Sequence, residues 1–285
     1  MWAALGLISA GLLVKTALFP LHFWLPPAHA SAPAPVSGVL SALVVKASFY
    51  ILLRLWLEIF EPIVDDQGIE TLFGLLGTVA ILYGSVQALR QTRLKLLIAY
   101  STVAQIGYLF LAFPLTAAAG VAAWSAVAYL AISHALAKAA MFMAAGNLLQ
   151  FGGHDRITGL DRVVQRLPLT AGAFALAGVS IMGLPPSGGF IGKWLLLEAA
   201  LTQGRWDLVV VMILGGLLAA GYIFKVLGHT FTQAEVTHQS TAVPASMEWA
   251  ALLLAAGAIL LGFLAVPLLT LVGIGDPFGI SEIRP

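Results

Sequence analysis

Long apolar runs follow one another along this chain with little polar material between them. Eight runs fall at roughly 2–19, 36–57, 71–90, 95–114, 119–149, 169–199, 207–231 and 247–273. About 18 or more largely apolar residues suffice to carry a helix across roughly 30 Å of hydrocarbon. Within the runs the apolar positions do not alternate with polar ones. The segment 250–269, for example, is apolar on every face, which excludes the two-residue period of a membrane β-barrel. The pattern predicts an all-α polytopic membrane bundle of about eight transmembrane helices, forming a single domain over 1–285.

Two stretches interrupt the pattern. The connection 20–35, PLHFWLPPAHASAPAP, holds five prolines and is not expected to form a regular helix. The sixth span is broken in its middle by GLPPSGG, residues 183–189. The GGFIGK that ends this region looks superficially like a phosphate loop. The spacing rejects that reading: Ser187 stands where a glycine is needed, and Trp194 where Ser or Thr is needed.

Composition reinforces the membrane assignment. Of 285 residues, 60% are hydrophobic and only 9% charged, against about 25% charged in soluble domains. A net charge of +1 gives no electrostatic case for nucleic acid. The absence of cysteine excludes disulfides, iron–sulfur ligation and c-type haem. The N-terminus shows neither the basic segment nor the polar cleavage region of a signal peptide. Six of the fourteen Lys and Arg residues (Arg90, Arg93, Lys95, Arg156, Arg162, Arg166) fall in the loops 90–95 and 150–168. Both are odd-numbered connections, so the positive-inside rule assigns them to the cytoplasm and both termini to the outside. The loop after the second span is acidic, with Glu58, Glu61, Asp65, Asp66 and Glu70, which carries little weight for orientation.

Against this background the ionisable residues inside the spans stand out. Each charge near the bilayer centre costs about 2.5–3.5 kcal/mol on insertion scales, so such residues are functional candidates. Lys46 lies deep in the second span, about ten residues from either end. Lys15 and Lys225 lie nearer span ends, where a long side chain can snorkel to the interface. His134 and Lys138, in YLAISHALAKAAMF, share one face of the fifth span, one turn apart. A histidine can pass a proton near neutral pH and a buried lysine can load and unload one, so this pair reads as a relay. Lys193 follows the broken sixth helix, where freed backbone groups require protein or a wet cavity. Glu198, five residues on, is off that face and reads as an interfacial charge. Lys15 and Lys46 are 31 residues apart, Lys193 and Lys225 32, and each pair begins at a break. An odd number of crossings separates the pairs, which suits part of an inverted repeat. His22, His29, His154, His229 and His238 read as loop or near-loop residues without metal-ligand spacing. No metal, cofactor or catalytic centre is expected.

Four segments, KTALFPLHFWLPPAHASAPAPVSGVLSALVVKASFYILLRL, LKLLIAYSTVAQIGY, SHALAKAAMFMAAGNL and GLPPSGGFIGKWLL, resemble the proton-translocating antiporter-like membrane subunits. That superfamily is shared by respiratory complex I, membrane-bound hydrogenases and Mrp-type Na⁺/H⁺ antiporters. The resemblance implies that Lys15 matches the lysine of a broken seventh helix and Lys46 that of the eighth. His134 and Lys138 match the bridging pair of the eleventh helix, and Lys193 the terminal lysine of a broken twelfth. It further implies proton or Na⁺ movement along mid-membrane charges, coupled to chemistry elsewhere in a multi-subunit assembly.

The chain departs from the family pattern at three points. Leu130 stands where a second histidine is common, Arg93 where an acid is usual, and only the last eight of about fourteen helices are represented. The expected function is a proton- or cation-translocating subunit of a complex-I-like or Mrp-type assembly in a bacterial or archaeal cytoplasmic membrane. It is not catalytic by itself. A non-conducting scaffold subunit and an energy-coupling subunit for inorganic-carbon uptake are the alternatives. The acidic residues cluster in loops and at span ends, so none is well placed to pair with Lys15, and a second membrane chain is expected to supply a buried Glu or Asp beside it.

Overall fold

The computed structural model describes residues 2–64, 67–234, 241–274 and 277–278. Asp65, Asp66 and His238 lie outside them. Among the described residues the chain is predominantly helical, with one isolated bridge between Arg93 and Arg156 and no strand. We label the main helices α1 (Trp2–Thr16), α2 (Leu25–Ser31), α3 (Ala34–Phe60), α4 (Gln67–Arg90), α5 (Leu94–Phe110) and α6 (Phe113–Gly152). The remainder are α7 (Pro168–Met182), α8 (Gly188–Thr202), α9 (Trp206–Phe231), α10 (Ala245–Leu260) and α11 (Ala265–Gly273).

Five of the described helices are long and apolar enough to cross a membrane, and two bent pairs raise the number to seven. The pair α7 and α8 makes up the expected broken span. Each half is only 15 residues long, and the chain between them is non-helical. Its sequence specifies the break. Gly183 ends α7 at φ +81°, a left-handed conformation that glycine adopts without penalty, and Ser187 caps α8 by accepting from the Phe190 N–H at 3.1 Å.

Two expectations need correction. The proline-rich connection 20–35 is largely helical: a 3₁₀ turn at Leu21–Trp24 leads into α2, and α1 with the Leu21–Ser31 segment forms one span bent by 40°. Pro26 and Pro27 sit in the first turn of α2, where a missing N–H breaks no helical hydrogen bond. The eighth span, read as continuous over 247–273, bends by 81° between α10 and α11. Gly262 lies in that bend, where a Cβ would come within 2.6 Å of the Pro186 carbonyl oxygen. The bend therefore packs against the break between α7 and α8.

Glycines set the tightest contacts between helices. A Cβ on Gly107 of α5 would come within 2.4 Å of the Gly77 oxygen of α4, and one on Gly84 within 2.6 Å of the Ala104 nitrogen. Small residues allow such backbone approach in membranes, where no hydrophobic force drives helices together. α5 is the most enclosed helix, with nearly all of its residues buried, whereas α9 leaves much of its surface exposed.

The loops sort onto two faces. Arg93 pairs with Asp155 at 2.9 Å, the Ile157 N–H donates to Thr92 O at 2.9 Å, and the Arg162 N–H to Thr232 O at 2.9 Å. The connections after α4, α6 and α9 thus share one face. On the other, Gln203 after α8 donates to Leu115 O, beside the α5–α6 junction, at 3.0 Å. Arg93, the residue that departs from the family pattern, is balanced by the buried Asp155. Lys95, counted among the loop cations, instead points inward and donates to Ala32 O just past α2, at 2.8 Å.

Candidate functional site: a row of buried cations

The bundle brings four of the six sequence candidates together: Lys46, His134, Lys138 and Lys193. His134 stands within electrostatic reach of all three lysines, and Lys138 of the other two. Lys138 is fully buried and His134 is 2% exposed. None of the three lysines forms an ion pair among the described residues. Each ammonium is instead held by neutral oxygens.

Local backbone supplies those oxygens. In α3 the segment Leu40–Val44 widens into a π turn, and Lys46, just after it, donates to the Ser41 carbonyl at 2.5 Å. Such bulges free carbonyls that a regular helix would occupy, and they recur at functional sites. In α6, Lys138 donates to the Ile98 carbonyl at 3.1 Å and to the Ser101 hydroxyl. In α8, Lys193 reaches back across the helix break to the Ile181 carbonyl at 2.7 Å, with its ammonium 4.4 Å from the Tyr108 ring centroid. The placement of a lysine after a glycine–proline break follows from this geometry. The break lets the side chain fold back onto the carbonyl end of the preceding half-helix, where the dipole favours a cation.

A cavity of about 140 Å³ opens beside Lys193, lined among others by Tyr108, Gly183, Trp194 and Met212. At roughly 30 Å³ of liquid volume each, several waters fit there. Both ring nitrogens of His134 are buried without a hydrogen-bond partner. A buried polar atom left unpaired is costly, so this ring too is suited to water or to a proton-exchanging neighbour.

The glycines of GGFIGK serve packing. A Cβ on Gly192 would lie 2.8 Å from the Leu130 Cα, and one on Gly189 only 1.9 Å from the Ser180 oxygen. Leu130, where a second histidine is common in the resembled family, is 1% exposed against that glycine surface. Ser133, next to His134, hydrogen-bonds Ser180 at 3.1 Å, and Ser180 Oγ accepts the Gly189 N–H at 3.3 Å. Hydroxyls thereby fasten α6 to both halves of the broken span.

Two candidates stand apart from the row. Lys225 donates to Leu89 O and Gln91 O, each at 2.7 Å, capping the end of α4 near the face that carries the basic loops. Lys15 lies in the last turn of α1, exposed, with no hydrogen bond or ion pair among the described residues. Glu198 is also exposed, in keeping with an interfacial charge.

Sequence reasoning missed two groups. His29, read as a loop residue, is in α2, fully buried, with its ring 4.5 Å from that of Phe142 and both nitrogens unpartnered. It lies within electrostatic reach of Lys138 and Lys95. The second group is the polar side of α5. Besides Ser101, Thr102 hydrogen-bonds Ser41 at 3.0 Å, and Gln105 donates to Ile181 O at 3.3 Å. With Tyr108 they recur every three or four residues along a buried apolar helix. That periodicity was the available signal.

The chain is similar to membrane subunits of one family. The family described as NADH:quinone oxidoreductase/Mrp antiporter, TM, matches residues 1–219. NADH-quinone oxidoreductase subunit N of Desulforudis audaxviator is 38% identical over 228 residues, covering 80% of this chain and 45% of that relative. A chain of the respiratory complex I of Thermus thermophilus superposes with TM-score 0.74 at 29% identity, over 94% of this chain and 58% of its own. The Mrp complex of Dietzia sp. DQ12-45-1b contains a chain of the same fold, with TM-score 0.86 at 23% identity, over 95% of this chain and 58% of its own. The chain thus spans about half the length of the curated relatives it matches.

Proposed function

Because the chain belongs to the NADH:quinone oxidoreductase/Mrp antiporter transmembrane family, we propose that Lys46, His134, Lys138 and Lys193 form a relay that moves protons, or exchanges them for Na⁺, within a multi-subunit membrane complex. The observation that carries this reading is Lys138. It is a fully buried amine held by a carbonyl and a hydroxyl, with no carboxylate paired to it among the described residues and two further lysines in electrostatic reach. Cations in a low-dielectric interior repel strongly, so the row cannot hold all its protons at once. Loading one amine favours release from its neighbour, and the titration belongs to the row as a whole. Residues of fixed structural purpose need no such arrangement, since a buried amine is costly unless its charge is used.

In this reading His134 exchanges protons between Lys46 and the Lys138–Lys193 end, and the cavity beside Lys193 connects that end to water. His29 and Lys95 are suited to bring protons to Lys138 from the basic face, which is cytoplasmic by its arginines. Lys15 meets a carboxylate from membrane helices outside these residues. An unpaired exposed ammonium at the apolar end of α1 supports that part.

The test is proton pumping by the assembled complex in inverted vesicles. Lys138→Met and Lys193→Met are expected to assemble at the parental level and to lose pumping by roughly a hundredfold. Parental pumping in both variants at unchanged protein level would leave a scaffolding function instead.

A further inference from the structure

The row of cations has a gap. No hydrogen bond joins the Lys138 site to the Lys193 site directly, although the two interact electrostatically. The side chain between them is Gln105, 2% exposed on α5. One turn before it lies Ser101, the hydroxyl that accepts from Lys138, and three residues after it lies Tyr108, whose ring faces the Lys193 ammonium. The Gln105 amide donates to Ile181 O at 3.3 Å, and that same carbonyl accepts from Lys193 at 2.7 Å. The amide shares an acceptor with the stronger, charged donor, and its own bond is correspondingly long.

A second acceptor stands ready on the other side. The Tyr222 hydroxyl, on α9, is fully buried within side-chain hydrogen-bonding reach of Gln105 and Ser101. The Gln105 amide carries two N–H donors, so one can serve Ile181 O while the other serves Tyr222. The phenol can then donate onward to Ser101, whose own proton goes to Ile98 O at 2.8 Å.

We propose that Gln105 is a positioning residue that couples the charge states of Lys138 and Lys193, by bridging the Ile181 carbonyl and the Tyr222 hydroxyl. A charged Lys193 draws on the Ile181 carbonyl that Gln105 shares, and the Gln105–Tyr222–Ser101 connection carries that change to the hydroxyl that accepts from Lys138. A neutral Lys193 leaves the carbonyl to Gln105 and changes the same connection in the opposite sense. No covalent bond forms or breaks at Gln105; it carries hydrogen-bond geometry and no net charge. The titratable groups on the elements around it are Lys138 and His134 on α6, Lys193 on α8, Tyr222 on α9 and Tyr108 on its own helix.

This inference rests on the proposed relay, and one experiment on the assembled complex separates the two. Gln105→Met keeps the volume and removes the hydrogen bonds; Tyr222→Phe removes a single oxygen. Each is expected to lower proton pumping by about tenfold, the loss of one buried hydrogen bond's worth of rate. The double variant should be no slower than the slower single one, because both act on one connection. The pH–rate profile of each should also shift, because Lys138 and Lys193 then titrate more independently. Should Gln105→Met lower the amount of complex, Tyr222→Phe carries the test. Parental rate and profile in Tyr222→Phe, with Lys138→Met and Lys193→Met inactive, would overturn this inference alone. Parental pumping in the lysine variants would overturn both it and the relay. Strictly multiplicative losses with an unshifted profile would assign Gln105 and Tyr222 to packing and would also overturn the inference.

Discussion

The Lys193 ammonium of α8 lies 2.7 Å from the carbonyl oxygen of Ile181 in α7, across the break that separates the two half-helices. The cation therefore ties α8 to the end of the preceding half-helix. Any change in the charge of Lys193 alters what holds the break in place.

The tight contact between α6 and α8 gives the first prediction. Gly192→Leu forces a side chain into the Leu130 backbone, whose Cα already lies 2.8 Å from where a Cβ would stand. We expect destabilisation of about 3 kcal/mol or more, since overpacking a well-filled contact costs 1–3 kcal/mol even where neighbours can give. Thermal unfolding of the purified complex in detergent would measure it, and an unchanged transition would show that α8 is free to shift.

Orientation is tested by labelling. Single cysteines in place of Thr158, on the face with the basic loops, and Thr202, at the opposite end of α8, should react with a membrane-impermeant maleimide from opposite sides. Thr158→Cys is expected to label from the cytoplasmic side. Labelling of both from one side would contradict the alternation of faces described above.

Lys225 should behave unlike the lysines of the row. Its ammonium caps two carbonyls at the end of α4. Lys225→Met is expected to cost about 2 kcal/mol of stability, the scale of hydrogen bonds to a charged group. Pumping per assembled complex should stay near the parental rate. A pumping loss without a stability loss would return Lys225 to the relay.

For Lys15 the expected partner is a carboxylate-bearing helix. A photo-crosslinking amino acid in place of Val14, exposed on the same turn, should capture polypeptide in the intact complex. Lipid adducts alone would show that this face of α1 meets the bilayer.

Much of the fold was legible because apolar length reports directly on membrane crossing, and GLPPSGG reports directly on a broken helix. The helical course of 21–31 was not legible. Prolines forbid the interior of a helix but suit its first turn, and Pro26 and Pro27 occupy that first turn. The bend between α10 and α11 was hidden for another reason: its residues are as apolar as the helices they join, and hydropathy does not encode direction. Within the site, Lys46, His134, Lys138 and Lys193 announced themselves by charge. Ser101, Thr102 and Gln105 did not, because neutral polar side chains hardly disturb an apolar run. His29 was overlooked because the prolines around it suggested a loop.

α5 is enclosed by other helices on nearly every side, whereas α9 and α1 present broad faces outward. The hydroxyls and the amide that serve the lysines are thus carried on an insulated core. A shift of the outer helices reaches that core through contacts such as the Tyr108 hydroxyl on Met212 O, at 2.9 Å, which ties α9 to α5.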